Sequence, residues 1–230
     1  MQMGISLSVK EFRKEAIILD DLVDFFELHL TGKEDVSGIL EIEHRLLAHL
    51  AELDRMCFES LELANRLGVD RAVIHFFTRS KIAFDEKIAI LDRLQKKAIG
   101  DGIALYLENT EESVNELKKL FARIPRLKFC LDVGHASLFS NNPLDFVEAF
   151  SDRLAHIHVS DNRGGDSEED DLHLPPGDGT IDFQHIFSEL KAINYDKTLT
   201  LELYPFSDIN VKVEGLRLLR KNWDSAEPPL

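Results

Sequence analysis

The sequence predicts an α/β fold, a compact (β/α)8 barrel of the TIM type formed as one domain over residues 1–230. Three observations lead there. Short apolar, β-branched runs recur along the chain, each followed by polar punctuation and an amphipathic segment. The runs are nearly unbroken in apolar residues, as in strands buried on both faces of a parallel sheet. The length of 230 residues fits eight such units when the third βα unit is shortened.

The first strand is Gly4–Ser8 (GISLS), and a short helix separates it from the second, Asp24–Leu30 (DFFELHL). The third is the weak point of the pattern. Gly38–Glu43 (GILEIE) reads as a strand, but Ile39–Leu53 reads equally as continuous helix, which leaves an open sheet as the alternative. Leu46, Leu50, Leu53, Cys57, Leu61 and Ala64 keep 3.6-residue spacing, and Gly68 stands where a helix-terminating glycine belongs. The remaining strands are Arg71–Phe77, Ile103–Asn109, Leu127–Val133, Leu154–Ser160 and Thr198–Tyr204. Between and after them Ile82–Ala98, Ser113–Ile124, Pro143–Arg153, Phe183–Ile193 and Val211–Trp223 are amphipathic, with Asn142 before Pro143 as an N-cap. Repeated βα units imply right-handed crossovers around one sheet.

Lys and Arg number 27 against 42 Asp and Glu, a formal charge of −15 that disfavours nucleic acid as a partner. At 44% hydrophobic residues the chain can bury a large core, and no apolar run approaches the ~18 residues of a membrane span. Met1-Gln2-Met3-Gly4 has no signal-peptide character, so a cytoplasmic location is expected, with Cys57 and Cys130 as buried thiols. Self-association into a homo-oligomer stays open.

The chemistry collects at strand ends. His75, Glu108, Asp132, His158 and Glu202 each close an apolar run, and in barrels the C-terminal ends of the strands carry the active site. Carboxylates converging on one mouth repel one another unless a cation or protons intervene, which points to a shared divalent metal. His135 follows Asp132 on a turn that Gly134 lets bend. After His158 a long loop holds Arg163, the acidic tract 166–171, Asp171 and His173, and ends in Pro175-Pro176-Gly177-Asp178-Gly179, an irregular path suited to binding. His156 is read as pointing away from His158, packed and satisfied.

LYLEN, LDVGHAS, IHVSDN, DLHLPPGDGTIDF and LELYP, in that order, resemble the xylose-isomerase-like TIM-barrel superfamily, which includes sugar isomerases and epimerases and endonuclease IV. From His75 onward the resemblance is close; before it, FFELHL resembles the second-strand motif. It implies one divalent ion held by Glu108, Asp132, His158 and Glu202, and three carboxylates with one imidazole suit Mn2+, Zn2+, Mg2+ or Co2+. It also implies substrate-binding or second-metal roles for His75, His135, Asp171 and His173. In endonuclease IV such residues, with a third-strand histidine, complete a three-zinc cluster. Here that histidine has two candidates, His44 first and His49 second, His49 also fitting the helix read over Leu46–Leu67.

The leading functional expectation is a metal-dependent isomerase or epimerase of a carbohydrate-like small molecule. Glu108 and Glu202 would exchange a proton through an enediolate, His75 and His135 would hydrogen-bond substrate oxygens, and Arg163 is available for an anionic group. Superfamily members that shift hydride place a lysine by the fifth-strand site; Asn109-Thr110 follows Glu108 here, so proton transfer is expected. The alternative is an endonuclease-IV-like multi-zinc phosphodiesterase acting on abasic DNA, against which the charge and the short chain count. A non-catalytic barrel is the third class, and a dehydratase or lyase uses the same proton abstraction.

Overall fold

Parallel pairing of each strand with the next, and of the last with the first, closes the sheet into a barrel. The computed structural model describes residues 1–39, 45–53, 56–76, 82–139, 141–204 and 206–229. The strands are β1 Gln2–Ser8, β2 Phe25–Leu30, β3 Leu46–Leu50, β4 Arg71–His75, β5 Ala104–Glu108, β6 Lys128–Asp132, β7 Leu154–Val159 and β8 Thr198–Leu201. The helices are α1 Val9–Leu19, α2 Met56–Arg66, α3 Phe84–Gly100, α4 Val114–Arg123, α5 Pro143–Phe150, α6 Phe183–Ala192 and α7 Ile209–Ser225. The compression expected around the third strand lies between β2 and β3, where the described residues contain no helix. No helix among them is long and apolar enough to cross a membrane.

The third strand corrects the sequence reading. Gly38 and Ile39 form a turn, Leu40–Glu43 and His44 lie outside the described residues, and the strand is Leu46–Leu50, which had been read as helix. The error has a physical origin. Leu46-Leu47-Ala48-His49-Leu50 is a short apolar run whose leucines keep helical spacing with Leu53 and Cys57, and periodicity alone does not separate such a strand from a helix turn. Pairing decides it: His49 lies in register with His29 on one side and Val73 on the other.

Local signals start the helices. Ser8 and Glu11 form a reciprocal capping box at α1, as do Ser113 and Glu116 at α4; Asn142 caps α5 ahead of Pro143, and Asp182 and Asp208 cap α6 and α7. The outer faces of the strands and the inner faces of the helices share one continuous apolar core. A second, smaller cluster of Phe25, Leu47, Val73, Tyr106, Cys130 and Ala155 plugs the barrel interior. In β2 to β6 the residue two places after each plug residue points the same way, towards the mouth, which yields Glu27, His49, His75, Glu108 and Asp132.

The seam between the chain's first and last helices is electrostatic. Lys212 of α7, only 2% exposed, donates to Glu11 at 2.7 Å and to Glu15 at 2.6 Å, both on α1. Glu11 also accepts from Ser8 and from the Phe206 backbone amide, so one carboxylate ties the end of β1 to the loop after β8. Burial pushes the Glu11 pKa up, but the hydrogen bonds from Lys212 and Ser8 outweigh it and bring the value down from 4.5 to about 2. A carboxyl whose folded pKa is depressed stabilises the fold above its unfolded pKa and loses that contribution as pH falls towards the folded value. We therefore expect Lys212→Ala to cost about 3–5 kcal/mol by urea unfolding at neutral pH, because it leaves a buried carboxylate unpaired. The deficit should shrink as the pH drops below 4.5 and Glu11 in the variant takes up a proton.

Candidate metal centre

Four strand ends deliver one polar atom each to a single point. His158 Nδ1 lies 3.0 Å from Glu202 Oε2, 3.2 Å from Glu108 Oε1 and 3.9 Å from Asp132 Oδ2. All four atoms are buried and none has a hydrogen-bond partner among the described residues. The other imidazole nitrogen is engaged: Nε2–H donates to Glu27 at 3.0 Å, and Nδ1 faces three carboxylate oxygens; burial opposes a charge on the ring, but Glu27, Glu108 and Glu202 around it hold its pKa well above the usual value. Three carboxylate oxygens gathered on one ring nitrogen call for positive charge, which a proton on that ring supplies in the metal-free protein and a divalent ion would supply in its place. Three carboxylates and one imidazole are a donor set suited to a divalent ion, so the residues fit the metal that their pattern implies.

The chain pre-arranges these groups. Asn109 pairs with the Asp132 backbone, accepting its N–H at 2.9 Å and donating to its carbonyl at 3.0 Å, so the end of β5 fixes the end of β6. The Asp132 carboxylate accepts the His135 N–H at 2.7 Å, shaping the turn. Gly134 is needed there for close approach rather than for a left-handed backbone: its φ is −61°, and a Cβ would run into the Ser160 hydroxyl. Burial, reinforced by Glu108 and Glu202, raises Asp132 to about 6 against the opposing pull of His135 and His158. Glu108 and Glu202 are also penalised by burial, yet the surrounding imidazoles hold both well below the usual carboxylate range.

Two satellite groups flank the tetrad. On one side His75 Nε2 lies 2.9 Å from Glu108 Oε2, and His49 Nε2 lies 3.1 Å from His75 Nε2 and 3.5 Å from the same oxygen. On the other, Asp171 Oδ2 accepts from His173 Nε2 at 3.0 Å and from His135 Nε2 at 3.2 Å. Each trio brings its ligand atoms close enough to share an ion. His29 approaches Glu202 at 3.3 Å and stacks on His49 with ring centroids 4.4 Å apart. Arg163 stands apart, exposed on the loop after β7.

The structure differs from the sequence reading of His156. Residues two apart in a strand share a face, so His156 and His158 both point into the barrel, their rings 5.1 Å apart. His156 is nevertheless satisfied, bonded to Thr198 at 2.6 Å and Glu27 at 3.1 Å. Glu27 and His29 were not singled out from the sequence. The alternation Phe25, Glu27, His29 along β2 was the available signal, since one inward plug residue implies the next two.

Asp161 holds the loop that carries Asp171 and His173. Its buried carboxylate accepts from the backbone amides of Gly177, Gly179, Asn162 and Ile181 at 2.8–3.1 Å, and its own backbone pairs with Leu174. Gly179 lies so close to the Asn162 carbonyl and the Asp161 carboxylate that a Cβ would clash. His173, next to the Leu174 anchor, sits at φ +43°, a conformation that costs energy for a non-glycine residue and persists because the clamp enforces it.

The family model for the xylose isomerase-like TIM barrel matches residues 48–222. The chain belongs to that family. An uncharacterised protein of Methanocaldococcus jannaschii is 25% identical, over 94% of this chain and 98% of its own length. Of two further relatives the chain spans only 43% and 50%. The solved structure of a D-tagatose 3-epimerase-like protein superposes with a TM-score of 0.81 at 21% identity, covering 97% of both chains. Protein TTHB071 of Thermus thermophilus, soaked with ZnCl2, superposes with a TM-score of 0.74 at 22% identity, over 96% of this chain and 98% of that one. The two superpositions show the same fold.

The clamp yields a test. Asp161→Ala should lower stability by about 2–4 kcal/mol in urea, because four amides lose a charged acceptor. Hydrogen exchange should rise at 171–181 before it rises in the barrel strands, since the loop loses its anchor while the sheet keeps its ladder.

Proposed function

We propose that the protein is a metal-dependent isomerase or epimerase of a small, carbohydrate-like α-hydroxycarbonyl compound, working by proton transfer. The observation that carries this reading is the convergence of the four unpartnered atoms of Glu108, Asp132, His158 and Glu202. The solved relative named for an epimerase shares the fold over nearly the whole chain, which supports the same class. A cavity of about 270 Å3 beside the cluster is lined by His75, His135, Phe139 and Asp171. That is just under the roughly 300 Å3 at which drug-sized ligand sites begin, so it suits a small polyol.

Bound at the tetrad, the metal would polarise the substrate carbonyl and its neighbouring hydroxyl and stabilise the negative charge left by proton removal. The residues do the rest. Glu108 and Glu202, held ionised by their imidazoles, are the base and its counterpart: one takes the proton α to the carbonyl and the other returns one. His75 donates to Glu108 Oε2 and steadies the base. His135, its Nδ1–H tied to the Asn109 carbonyl, presents a fixed imidazole edge to the cavity. Elimination of water from such a substrate would begin with the same proton abstraction, so a dehydratase is the near neighbour of this reading.

Turnover in D2O should place deuterium at the carbon that epimerises, because the abstracted proton rests on a carboxylate that exchanges with solvent. Glu108→Gln and Glu202→Gln should each keep the fold and lose about 10²–10⁴-fold in kcat, as removal of a general acid or base does. Unlabelled product, together with either variant turning over normally with metal bound, would overturn the proposal.

A second reading has its own support. His49 and His75 against Glu108, and His135 and His173 against Asp171, supply ligands for two more ions around the tetrad. Paired metals suit in-line displacement at phosphorus, as in an endonuclease-IV-like phosphodiesterase. The net charge of −15 works against a DNA partner. Elemental analysis of the purified chain separates the two: one ion per chain supports the isomerase. Two or three zinc ions, with cleavage of an abasic-site duplex at ~150 mM salt that is lost in His173→Ala, support the hydrolase.

A further inference from the structure

Glu27 sits one layer below the proposed ligands and is completely enclosed. Its partners are imidazoles and one hydroxyl. Oε2 accepts from Thr200 Oγ1 at 2.8 Å and from His156 Nε2 at 3.1 Å. An ionised carboxylate only accepts, so His156 carries a proton on Nε2, and its Nδ1 is held by the Thr198 hydroxyl. With Oε2 pinned from β7 and β8, Oε1 has one orientation. It faces His158 Nε2 at 3.0 Å and His49 Nδ1 at 3.3 Å.

An imidazole donates from one nitrogen and coordinates through the other. By taking the Nε2–H of His158, Glu27 leaves Nδ1 as the nitrogen that can give up its proton and coordinate, the atom that faces Glu108, Asp132 and Glu202. Its charge also raises the basicity of the ring it holds, as outer carboxylates do in metal sites. The same oxygen lies against Nδ1 of His49, whose Nε2 faces His75 and Glu108.

We infer that Glu27 is a positioning residue of the metal centre, fixing His158 as an Nδ1 ligand and orienting His49 towards the neighbouring trio. The inference rests on reading Glu108, Asp132, His158 and Glu202 as a metal site. It assigns a job to a buried charge that touches neither the cavity nor any of the three carboxylates. Phe25, one step deeper, plugs the barrel, whereas Glu27 leaves a charge in the interior where an apolar residue would cost less unless the imidazoles needed it.

The test is metal affinity rather than turnover. The wild type, Glu27→Gln and Glu27→Leu are stripped of metal, checked for folding by circular dichroism, and titrated with Zn2+ and Mn2+ against a chromophoric chelator. Glu27→Gln keeps the shape and loses the charge; about 10–100-fold weaker binding is expected, the usual cost of removing an outer-shell partner. Glu27→Leu should lose at least as much. Nitrogen-15 spectra of the Zn2+-loaded wild type, with the His158 signals assigned by their absence from His158→Asn, should place the ring proton on Nε2 and show it exchanging slowly. In Glu27→Leu that proton should exchange faster. Binding within twofold of the wild type by folded Glu27→Gln, or coordination of His158 through Nε2, would overturn the inference while leaving the metal site standing. A wild type that takes up neither metal would overturn the metal site and this inference together.

Discussion

Three buried carboxylates facing one another at the mouth of a closed barrel are the constraint on which the rest of the structure depends. Two unit charges ~4 Å apart repel by about 4 kcal/mol even at an effective dielectric constant near 20. Glu108, Asp132 and Glu202 share one imidazole nitrogen within 3.9 Å, so their repulsion must be met locally. The apoprotein meets it with imidazoles, which keep Glu108 and Glu202 ionised. The compensation falls short at Asp132, which burial and its two neighbours raise to about 6. A site that holds its charges this close, and raises one of them, has the electrostatics that the proposed divalent ion would relieve.

The barrel interior is stratified to bear that load. Its lowest layer is apolar, Phe25 to Tyr106 and Cys130; the next holds Glu27 and His156 with Thr198 and Thr200; the mouth carries the carboxylates and the remaining histidines. Polar groups therefore become denser towards the end where solvent and substrate enter. Stability is supplied elsewhere, by the continuous core between sheet and helices and by the Glu11–Lys212 seam. Because the core between sheet and helices is separate from the mouth, residues there can be arranged for chemistry rather than for packing, the division of labour expected of barrels.

How much of this was legible in the sequence follows from the same stratification. Strand ends that finish an apolar run with an acid or a histidine were readable, because such residues at a buried end have only the mouth to face; Glu108, Asp132, His158 and Glu202 do meet there. The third strand was not, since five mostly apolar residues with leucines at helical spacing fit either structure, and only pairing with β2 and β4 decides. With that strand misplaced, His49 was assigned second place and a helical alternative. His156 departs from the expectation of opposite faces, since residues two apart along a strand share a face. Glu27 is not legible because a single acid within FFELHL gives no sign from local pattern that His49 of the neighbouring β3 and His156 and His158 of β7, across the barrel, surround it. Such long-range convergence is a property of closure, and closure is what the sequence states least directly.

The two functional readings meet in one side chain. Glu108 Oε1 belongs to the tetrad, 3.2 Å from His158 Nδ1, while Oε2 faces His75 at 2.9 Å and His49 at 3.5 Å. With the tetrad alone filled, Oε2 is engaged only by the imidazoles beside it and can still exchange a proton with a substrate in the adjoining cavity. An ion held by His49 and His75 would take that second oxygen as a ligand, and Glu108 would become a bridge with no basic atom to spare. Proton-transfer catalysis through Glu108 and occupation of the neighbouring trio are therefore competing uses of the same carboxylate. The balance depends on how firmly His49 faces it, and the Glu27 oxygen that accepts from His158 lies 3.3 Å from His49 Nδ1. On the proposed reading, the geometry of β2 would bear through that oxygen both on how tightly the centre holds its first ion and on whether Glu108 is free to act as a base.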